Sequence, residues 1–464
     1  MIVERIKNTV SNSNLDINKS YLKTLTKILK NDLDFHNLSS NYSSHNFHSF
    51  PAKFPPQLPQ KFILNLTEEN DIVLDPMVGS GTTILEGLFA NRKTIGFDID
   101  PLALMIAQVK STFYNKKQLI DSYNNIVSSS LSFLSNSETL LSKYNSTFDD
   151  ETKKFFEYWF LKDSIMELFA LSDSISSLTN KKVQTFFRII FSSIIITKNG
   201  GVSLALDLAH TRPHRVKKAY NFNSDLVFDL GDYEESPRHH LLTKKMKSPI
   251  NEFKKKFLQN IDCVVQKESK NKPRLELADS QNLPLPDDCV DLIVTSPPYA
   301  SNAIDYMRAH KFSLLWFGYS INELKEKRTN YIGGESTSNF NFENIPAFTY
   351  EIIEKIKRKN PKKALVLYRY YSEMTRSLKE MYRVLKPNKA AIVVVGNSTL
   401  NGIISETHLC LKEIGENIGF SVPHICIRNL DRNRRMMPAT LKNKQTSQIL
   451  QRMNEEYVIG FYKK

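Results

Sequence analysis

The period of the apolar positions changes several times along the chain, and each change marks an element. Within residues 1–44, which are otherwise rich in Ser and Asn, Leu22, Leu25, Ile28 and Leu29 recur at helical spacing, so a packing helix is expected between Ile17 and Leu33. A proline- and aromatic-rich stretch follows, His48-Ser-Phe-Pro-Ala-Lys-Phe-Pro-Pro56, and then a helix is predicted over Leu58–Leu66. From there the pattern alternates. Asp71–Asp75 reads as a short buried strand, Thr82–Ala90 as a helix, Thr94–Asp98 as a second strand, and Pro101–Lys110 as a helix with proline in its first turn. Strand, turn, helix, strand and helix in that order predict a parallel α/β sheet.

Between Ser111 and Lys270 the alternation stops. The pattern there is mostly helical, with the aromatic cluster Phe155, Phe156, Tyr158, Trp159 and Phe160 and a basic, loop-like segment from His210 to Lys218. Such a stretch far exceeds the roughly 2–6 residues that join a strand and helix in a compact α/β unit, so residues 111–270 are expected to be an inserted domain. The alternation resumes with strands at Leu275–Asp279, Asp291–Thr295, Ala390–Val395, Val422–Ile427 and Tyr457–Tyr462, flanked by helices near Met307–Phe317 and Tyr370–Leu385. The charged, Gly-, Asn- and Ser-containing segment Asn322–Lys363 reads as a mobile loop. The expected fold is a doubly wound α/β core (45–110 and 271–464) with a helical extension (1–44) and a helical insertion.

Composition adds a partner to this picture. Across 464 residues there are 63 Lys and Arg against 49 Asp and Glu, a formal charge of +14, with 41% hydrophobic residues, enough for a sizeable core. A pI near 9.3 points to a polyanion such as nucleic acid or a membrane surface. Lysine-rich codon usage would give the same balance. The longest apolar run, Ile189–Ile196, is broken by Ser192 and Ser193 and falls far short of the roughly 20 residues that span a bilayer. Met1–Val10 carries Glu4, Arg5 and Lys7 with no apolar core of a signal peptide, so a soluble, cytoplasmic protein is expected. Four dispersed cysteines, none in a CxxC pair, predict neither a disulfide framework nor a zinc site.

Two turns carry the chemistry. Asp75-Pro-Met-Val-Gly-Ser-Gly-Thr-Thr83 joins a strand to a helix, and its glycines let the backbone approach a ligand. Neither GxGxxG nor GxxxxGK[ST] spacing is present, and no lysine stands ready for a triphosphate. About 20 residues on, Asp98 ends the second strand where an acid accepts hydrogen bonds from ribose hydroxyls. The pair suits an adenosine ligand bearing an amino acid, and Asp279, at the end of a later strand, is placed to accept an adenine amino hydrogen.

The second turn is Ser296-Pro-Pro-Tyr299, at the end of the apolar strand Asp291–Thr295. Its prolines fix φ and leave carbonyls as acceptors in a rigid turn. A flipped-out base with an exocyclic amine fits it: Tyr299 stacks on the base, and Ser296 Oγ and the Pro297 carbonyl accept the amine hydrogens. No cysteine follows a proline, which disfavours methylation at cytosine C5, and the chemistry requires no metal and no covalent intermediate.

DPMVGSGTT, GFDIDP and TSPPY, in this order, resemble the DNA amino-methyltransferases, which make N4-methylcytosine or N6-methyladenine from S-adenosylmethionine. HSFPAKFPP resembles a cofactor-site motif of part of that family, and the last two strands resemble its closing antiparallel hairpin. The resemblance implies a Rossmann-like methyltransferase fold. It places Phe50, Lys53 and Phe54 at the cofactor, with Asp75, Pro76, Gly79, Gly81 and Thr82 of the Gly turn. Gly79 and Gly81 then line the methionine part, Asp98 (with Asp100 nearby) the ribose, and Asp279 the adenine. Ser296, Pro297, Pro298 and Tyr299 become the catalytic motif, and its leading serine is associated mainly with cytosine N4. Adenine N6, an RNA methyltransferase, and a non-enzymatic DNA-recognition subunit are the alternatives. The implied partners are double-stranded DNA and a separate restriction endonuclease.

Candidate DNA contacts are Arg212, Arg215, Lys217 and Lys218, either to phosphates or, for Arg, to guanine; a solvated basic loop would look the same. Arg308, just past the catalytic turn with Tyr306 and His310, is a further candidate, and Arg432, Arg434 and Arg435 form another basic cluster. His210 and His214 are a poor metal pair because Pro213 lies between them.

Overall fold

Alternate residues of the central strands are apolar on both sides, and this sets the layers. Leu292 and Val294 pack to one face of the sheet and Ile293 to the other, and Ala390 to Val395 divide in the same way. The computed structural model describes residues 20–51, 53–197, 201–206, 215–231, 242–265, 270–300, 305–430 and 455–464.

A helix of residues 20–30 (α1) precedes α2 (Gln57–Leu66), β1 (Ile72–Asp75), α3 (Thr82–Phe89), β2 (Lys93–Asp98) and α4 (Pro101–Lys110). The insertion contributes α5 (Lys116–Ser135), α6 (Ser137–Thr147), α7 (Asp150–Trp159), α8 (Lys162–Ser176) and α9 (Lys181–Ile195). Short strands β3 (Lys218–Tyr220), β4 (Leu226–Asp229) and β5 (Thr243–Lys245) follow, then α10 (Pro249–Asn260). The core resumes with β6 (Arg274–Leu277), β7 (Val290–Thr295), α11 (Tyr306–Leu314), α12 (Ile321–Thr329), α13 (Ala347–Lys357), α14 (Pro361–Val384) and β8 (Leu385–Gly396). It closes with β9 (Thr399–Leu400), β10 (Ile403–Ile404), α15 (Thr407–Ile418), β11 (Phe420–Ser421), β12 (Ile425–Asn429) and β13 (Glu455–Lys463).

The main sheet has the order β6–β2–β1–β7–β8–β13, with β11 and β12 both along the far side of β13. Strands β6, β2, β1, β7 and β8 are parallel, and β13 runs antiparallel to β8 and to β12. From β1 the chain moves outward to β2 and β6, then returns to β7 on the other side. The switch point, where α/β sheets bind ligands, therefore lies between β1 and β7. Helices α1 and α2 cover one face, and α13, α14 and α15 the other.

The insertion does not stand apart. Its buried residues, among them Phe156, Leu168, Phe187 and Phe257, form one apolar cluster with Leu102 and Ile106 of α4 and Phe312 and Trp316 near α11. The Trp316 ring lies flat on Phe156 at 3.8 Å. The insertion also carries a three-stranded sheet, β4–β3–β5, in the region that its pattern presents as helix and loop.

The segment Asn322–Lys363 is not a mobile loop: it holds α12 and α13. Its many charges conceal an amphipathic pattern in which Ile352, Ile353 and Ile356 are buried against α14 while Lys355 pairs with Glu351 on the outside. The Glu413 carboxylate of α15 accepts the Phe348 and Thr349 N–H groups, each at 2.9 Å, and so holds the start of α13. Among the described residues no helix is long and apolar enough to cross a membrane.

Candidate active site

The two chemical turns leave neighbouring parallel strands at the switch point and are bonded to each other. Thr295 Oγ1 donates to Asp75 Oδ1 at 2.7 Å, and Thr83 Oγ1 donates to the Val294 carbonyl at 3.1 Å. Between the turns is a cavity of about 100 Å³. Asp75, Pro76, Gly79, Thr82, Asp98 and Asp100 are in its wall, as are Phe50, Lys53 and Phe54 from the proline-rich stretch. Ser296 and Pro298 line the same space.

Gly79 has φ +48°, and its N–H donates to Asp98 Oδ2 at 2.8 Å; an added Cβ would press on the Phe50 ring at 3.2 Å. The turn is thus tightened toward the acid that ends β2. Gly81 has a different task. At φ +75° it caps α3, and a Cβ there would come within 2.7 Å of Ala107 Cβ on α4, so it permits helix packing and is not part of the cavity wall. Asp279 also falls outside the wall: its carboxylate accepts the Gln281 N–H at 2.9 Å, and the neighbouring Ser280 faces the cavity instead.

Asp98 takes one backbone N–H on each oxygen, from Gly79 and from Asp100 (2.9 Å). Burial, reinforced by the charges of Asp100 and Asp75, pushes its carboxyl up to about 7. Such a group gains from further donors on its ionised form, and a ribose diol supplies two of them. Asp75 is similarly pushed up to about 6 by burial. Asp100 behaves differently. Burial raises it, but the His310 imidazole at 2.5 Å, together with Tyr331 and the Ala103 N–H, more than offsets this and the carboxyl lies below its ordinary value. Its other oxygen caps α4 by accepting the Leu102 N–H at 2.8 Å. Asp100 therefore fixes α4 and α11 relative to each other.

The cavity is roofed by aromatic side chains. Phe50 stacks on Tyr306 at 5.2 Å, and His310 packs beside both. Lys53 Nζ donates to the His45 carbonyl at 2.9 Å, and burial lowers its pKa. His48 Nε2 lies 2.9 Å from Ser192 Oγ, which meets Ser313 Oγ at 2.8 Å, so the proline-rich stretch, α9 and α11 meet behind the roof. Tyr331 and Ile332 complete the wall and were not expected from the sequence. They come from the turn after α12, held by a buried ion pair: Arg369, 6% exposed, lies 2.8 Å from Glu373, 2% exposed. Arg369 also donates to the Thr329 carbonyl at 2.8 Å, and Glu373 accepts the Gly333 N–H at 2.7 Å. In the sequence Gly333-Gly334 reads only as part of the Asn322–Lys363 loop.

In the Ser296–Tyr299 turn Pro297 is buried and, like Tyr299, lies outside the cavity wall; the Tyr299 hydroxyl donates to Glu456 Oε1 of β13 at 2.8 Å. Burial, then the Glu456 charge, holds the Tyr299 hydroxyl well above its ordinary pKa.

The described basic candidates, Arg215, Lys217, Lys218 and Arg308, lie outside the cavity wall. The Arg215 guanidinium lies between the Tyr158 and Phe228 rings, 4.1 and 4.6 Å from their centroids, beside β3. Lys217 precedes that strand, and Lys218 begins it, 3.5 Å from Asp229. Arg308 pairs with Asp305 at 2.7 Å. Arg212, His210, His214, Arg432, Arg434 and Arg435 lie outside the described residues.

A parallel sheet with a Gly turn and an acidic strand end at its switch point, closing on an aromatic-roofed cavity, defines an S-adenosylmethionine-dependent methyltransferase. Residues 5–109 match the N6/N4 family model described as DNA methylase. The chain is 24% identical over 415 residues to the Type II methyltransferase M.MvaI of Kocuria varians, covering 85% of each chain. To the Type II methyltransferase M.BsoBI of Geobacillus stearothermophilus it is 24% identical over 451 residues, covering 88% of this chain and 84% of that one. A shorter match, 34% over 110 residues, joins it to the Type II methyltransferase M.MjaII of Methanocaldococcus jannaschii, over 22% of this chain and 21% of that one. The chain is thus similar to DNA amino-methyltransferases, and its cofactor is S-adenosylmethionine.

Proposed function

We propose that this enzyme is a site-specific Type II methyltransferase that methylates N4 of cytosine in a defined double-stranded DNA sequence. The observation that carries the reading is the shared cavity: Ser296 and Pro298 stand in the same wall as Gly79 and Asp98. S-adenosylmethionine, when bound, supplies an electrophilic methyl group. Asp98 holds the ribose hydroxyls, the Gly79 turn receives the amino-acid part, and Phe50 and Tyr306 shut out water from above. The flipped cytosine stacks on Tyr299. Ser296 Oγ and the Pro297 carbonyl accept its two amine hydrogens, which keeps the nitrogen lone pair directed at the methyl group.

The insertion 111–270 is assigned to target recognition, with Arg215, Lys217 and Lys218 at the DNA. A guanidinium held between two rings presents a preorganised fork for guanine or phosphate. The biological setting is a cytoplasmic restriction–modification pair with a separate endonuclease. Sequencing DNA from cells expressing the protein, with detection of modified bases, tests this reading. N4-methylcytosine at one recurring sequence is expected, and unmodified DNA would overturn it. N6-methyladenine would move the enzyme to the sister activity that the same site permits.

A further inference from the structure

Behind the catalytic motif is a buried ion pair that the reaction as described so far does not use. Glu456 and Arg428 face each other directly across β13 and β12, and each is only 7% exposed. Both carboxylate oxygens are occupied: Oε2 receives the Arg428 guanidinium, and Oε1 receives the Tyr299 hydroxyl at 2.8 Å. Arg428 is fixed in turn, donating from Nε to the Leu33 carbonyl at 3.0 Å. The line Leu33, Arg428, Glu456, Tyr299 thus runs from the end of the N-terminal helical region to the catalytic turn.

A neutral phenol needs only one ordinary acceptor. Burying a carboxylate and a guanidinium to supply it incurs a desolvation penalty that an ion pair seldom recovers in stability alone. What this arrangement does supply is position. Two prolines fix the backbone before Tyr299, but the ring can still turn about χ1 and χ2. A charge-assisted bond at the para oxygen removes that freedom. It also enriches the ring face that meets the base, while positive charge builds on the base as its nitrogen takes up the methyl group.

We infer that Glu456 is a positioning residue for methyl transfer, holding the Tyr299 ring in the plane in which the target base stacks. The inference rests on the assignment of Tyr299 to base stacking, and its test separates the two. Tyr299→Phe, Glu456→Gln and the double variant are compared in single-turnover methylation of unmodified plasmid DNA, with S-adenosylmethionine affinity measured by calorimetry. Each single variant is expected to be about tenfold slower, the scale of one hydrogen bond to a charged group, with cofactor affinity unchanged. The double variant is expected to be no slower than Tyr299→Phe alone, because Glu456→Gln only weakens, by removing the charge, the bond that Tyr299→Phe already removes. Tyr299→Phe leaves the Glu456–Arg428 pair intact, so the test survives if Glu456→Gln folds poorly. A wild-type rate for Tyr299→Phe, or a double variant slowed by the product of the two single effects, would overturn the inference. Tyr299→Ala marks the other boundary: if it is fully active, base stacking itself is wrong. If it is inactive while Tyr299→Phe is normal, only the role of Glu456 fails.

Discussion

The cofactor cavity and the small basic sheet of the insertion are built in opposite ways. Around the cavity, short motifs sit at the ends of strands that are buried on both faces; all six residues of β7 are buried. Each turn is tied to its neighbour through groups such as Asp75, Thr295 and Asp98. In the β4–β3–β5 sheet the strands are three or four residues long, Phe222 is 80% exposed, and Arg215 is held by ring faces. Under the proposed function the difference separates the tasks: a cofactor of constant shape is met by rigid, polar-bonded geometry, whereas a DNA sequence would be met by a surface that can change without disturbing the core. Substitutions in the first region should therefore remove activity or stability, and substitutions in the second should alter affinity or sequence preference.

The largest expected effect is at the Ser296–Tyr299 turn. Tyr299→Ala removes a stacking face, about 1–3 kcal/mol per base, together with a charge-assisted hydrogen bond, about 1.5–3 kcal/mol. Methyl transfer should fall at least a hundredfold while calorimetry shows S-adenosylmethionine still binding. Next is the support behind Tyr331 and Ile332. Glu373→Gln leaves the buried Arg369 without its counter-charge, and urea unfolding should register a loss of about 3–5 kcal/mol. A loss near zero would return this segment to the status of a passive loop.

Asp98→Ala should weaken S-adenosylmethionine binding about tenfold to a hundredfold, the value of about 1.5–3 kcal/mol for bonds to a charged acceptor. Unchanged affinity would remove Asp98 from the site. The pH dependence is a smaller and sharper probe. Ribose hydroxyls donate to the ionised carboxylate, so affinity should be highest above about pH 7 and fall as pH drops through 7, by up to about tenfold per pH unit. Stability of the free protein responds to Asp98 with the opposite sign. Its folded pKa is raised, so between about 4 and 7 the native state binds the extra proton and this group's contribution to stability grows as pH falls. Asp98→Asn should flatten both limbs. The smallest effect is expected at the basic sheet. Arg215→Ala should reduce the salt dependence of DNA binding by about 0.9 in the log–log slope if it contacts a phosphate, or relax one position of the recognition sequence if it reads guanine. No change in either would make Arg215 a packing residue between Tyr158 and Phe228.

Much of the first region was legible in the sequence because its signals are local. A strand such as Ile72–Asp75 is a continuous apolar run that ends at a Gly turn, and that pattern identifies itself within a dozen residues. The motif roles were less secure. Gly81 resembles Gly79 as a letter, yet one faces α4 and the other tightens the ligand turn, a difference that only the packing of Ala107 reveals. Glu456 reaches Tyr299 across 157 residues, and Arg369 braces a turn 40 residues away, with nothing periodic to announce either contact. Helix α13 was hidden because Glu351, Glu354, Lys355 and Lys357 dominate its composition while three isoleucines decide its fold. The β4–β3–β5 sheet escaped for a simpler reason: strands of three or four residues are too short to show a period of two.

The most direct test of the central claim is nucleoside mass spectrometry of DNA methylated by the purified protein with S-adenosylmethionine. Ser296 at the head of the motif, a residue associated mainly with cytosine N4 in the DNA amino-methyltransferases that the chain resembles, makes N4-methylcytosine the expected product. N6-methyladenine would contradict the choice of base and leave the amine chemistry in place, whereas 5-methylcytosine would contradict the mechanism itself.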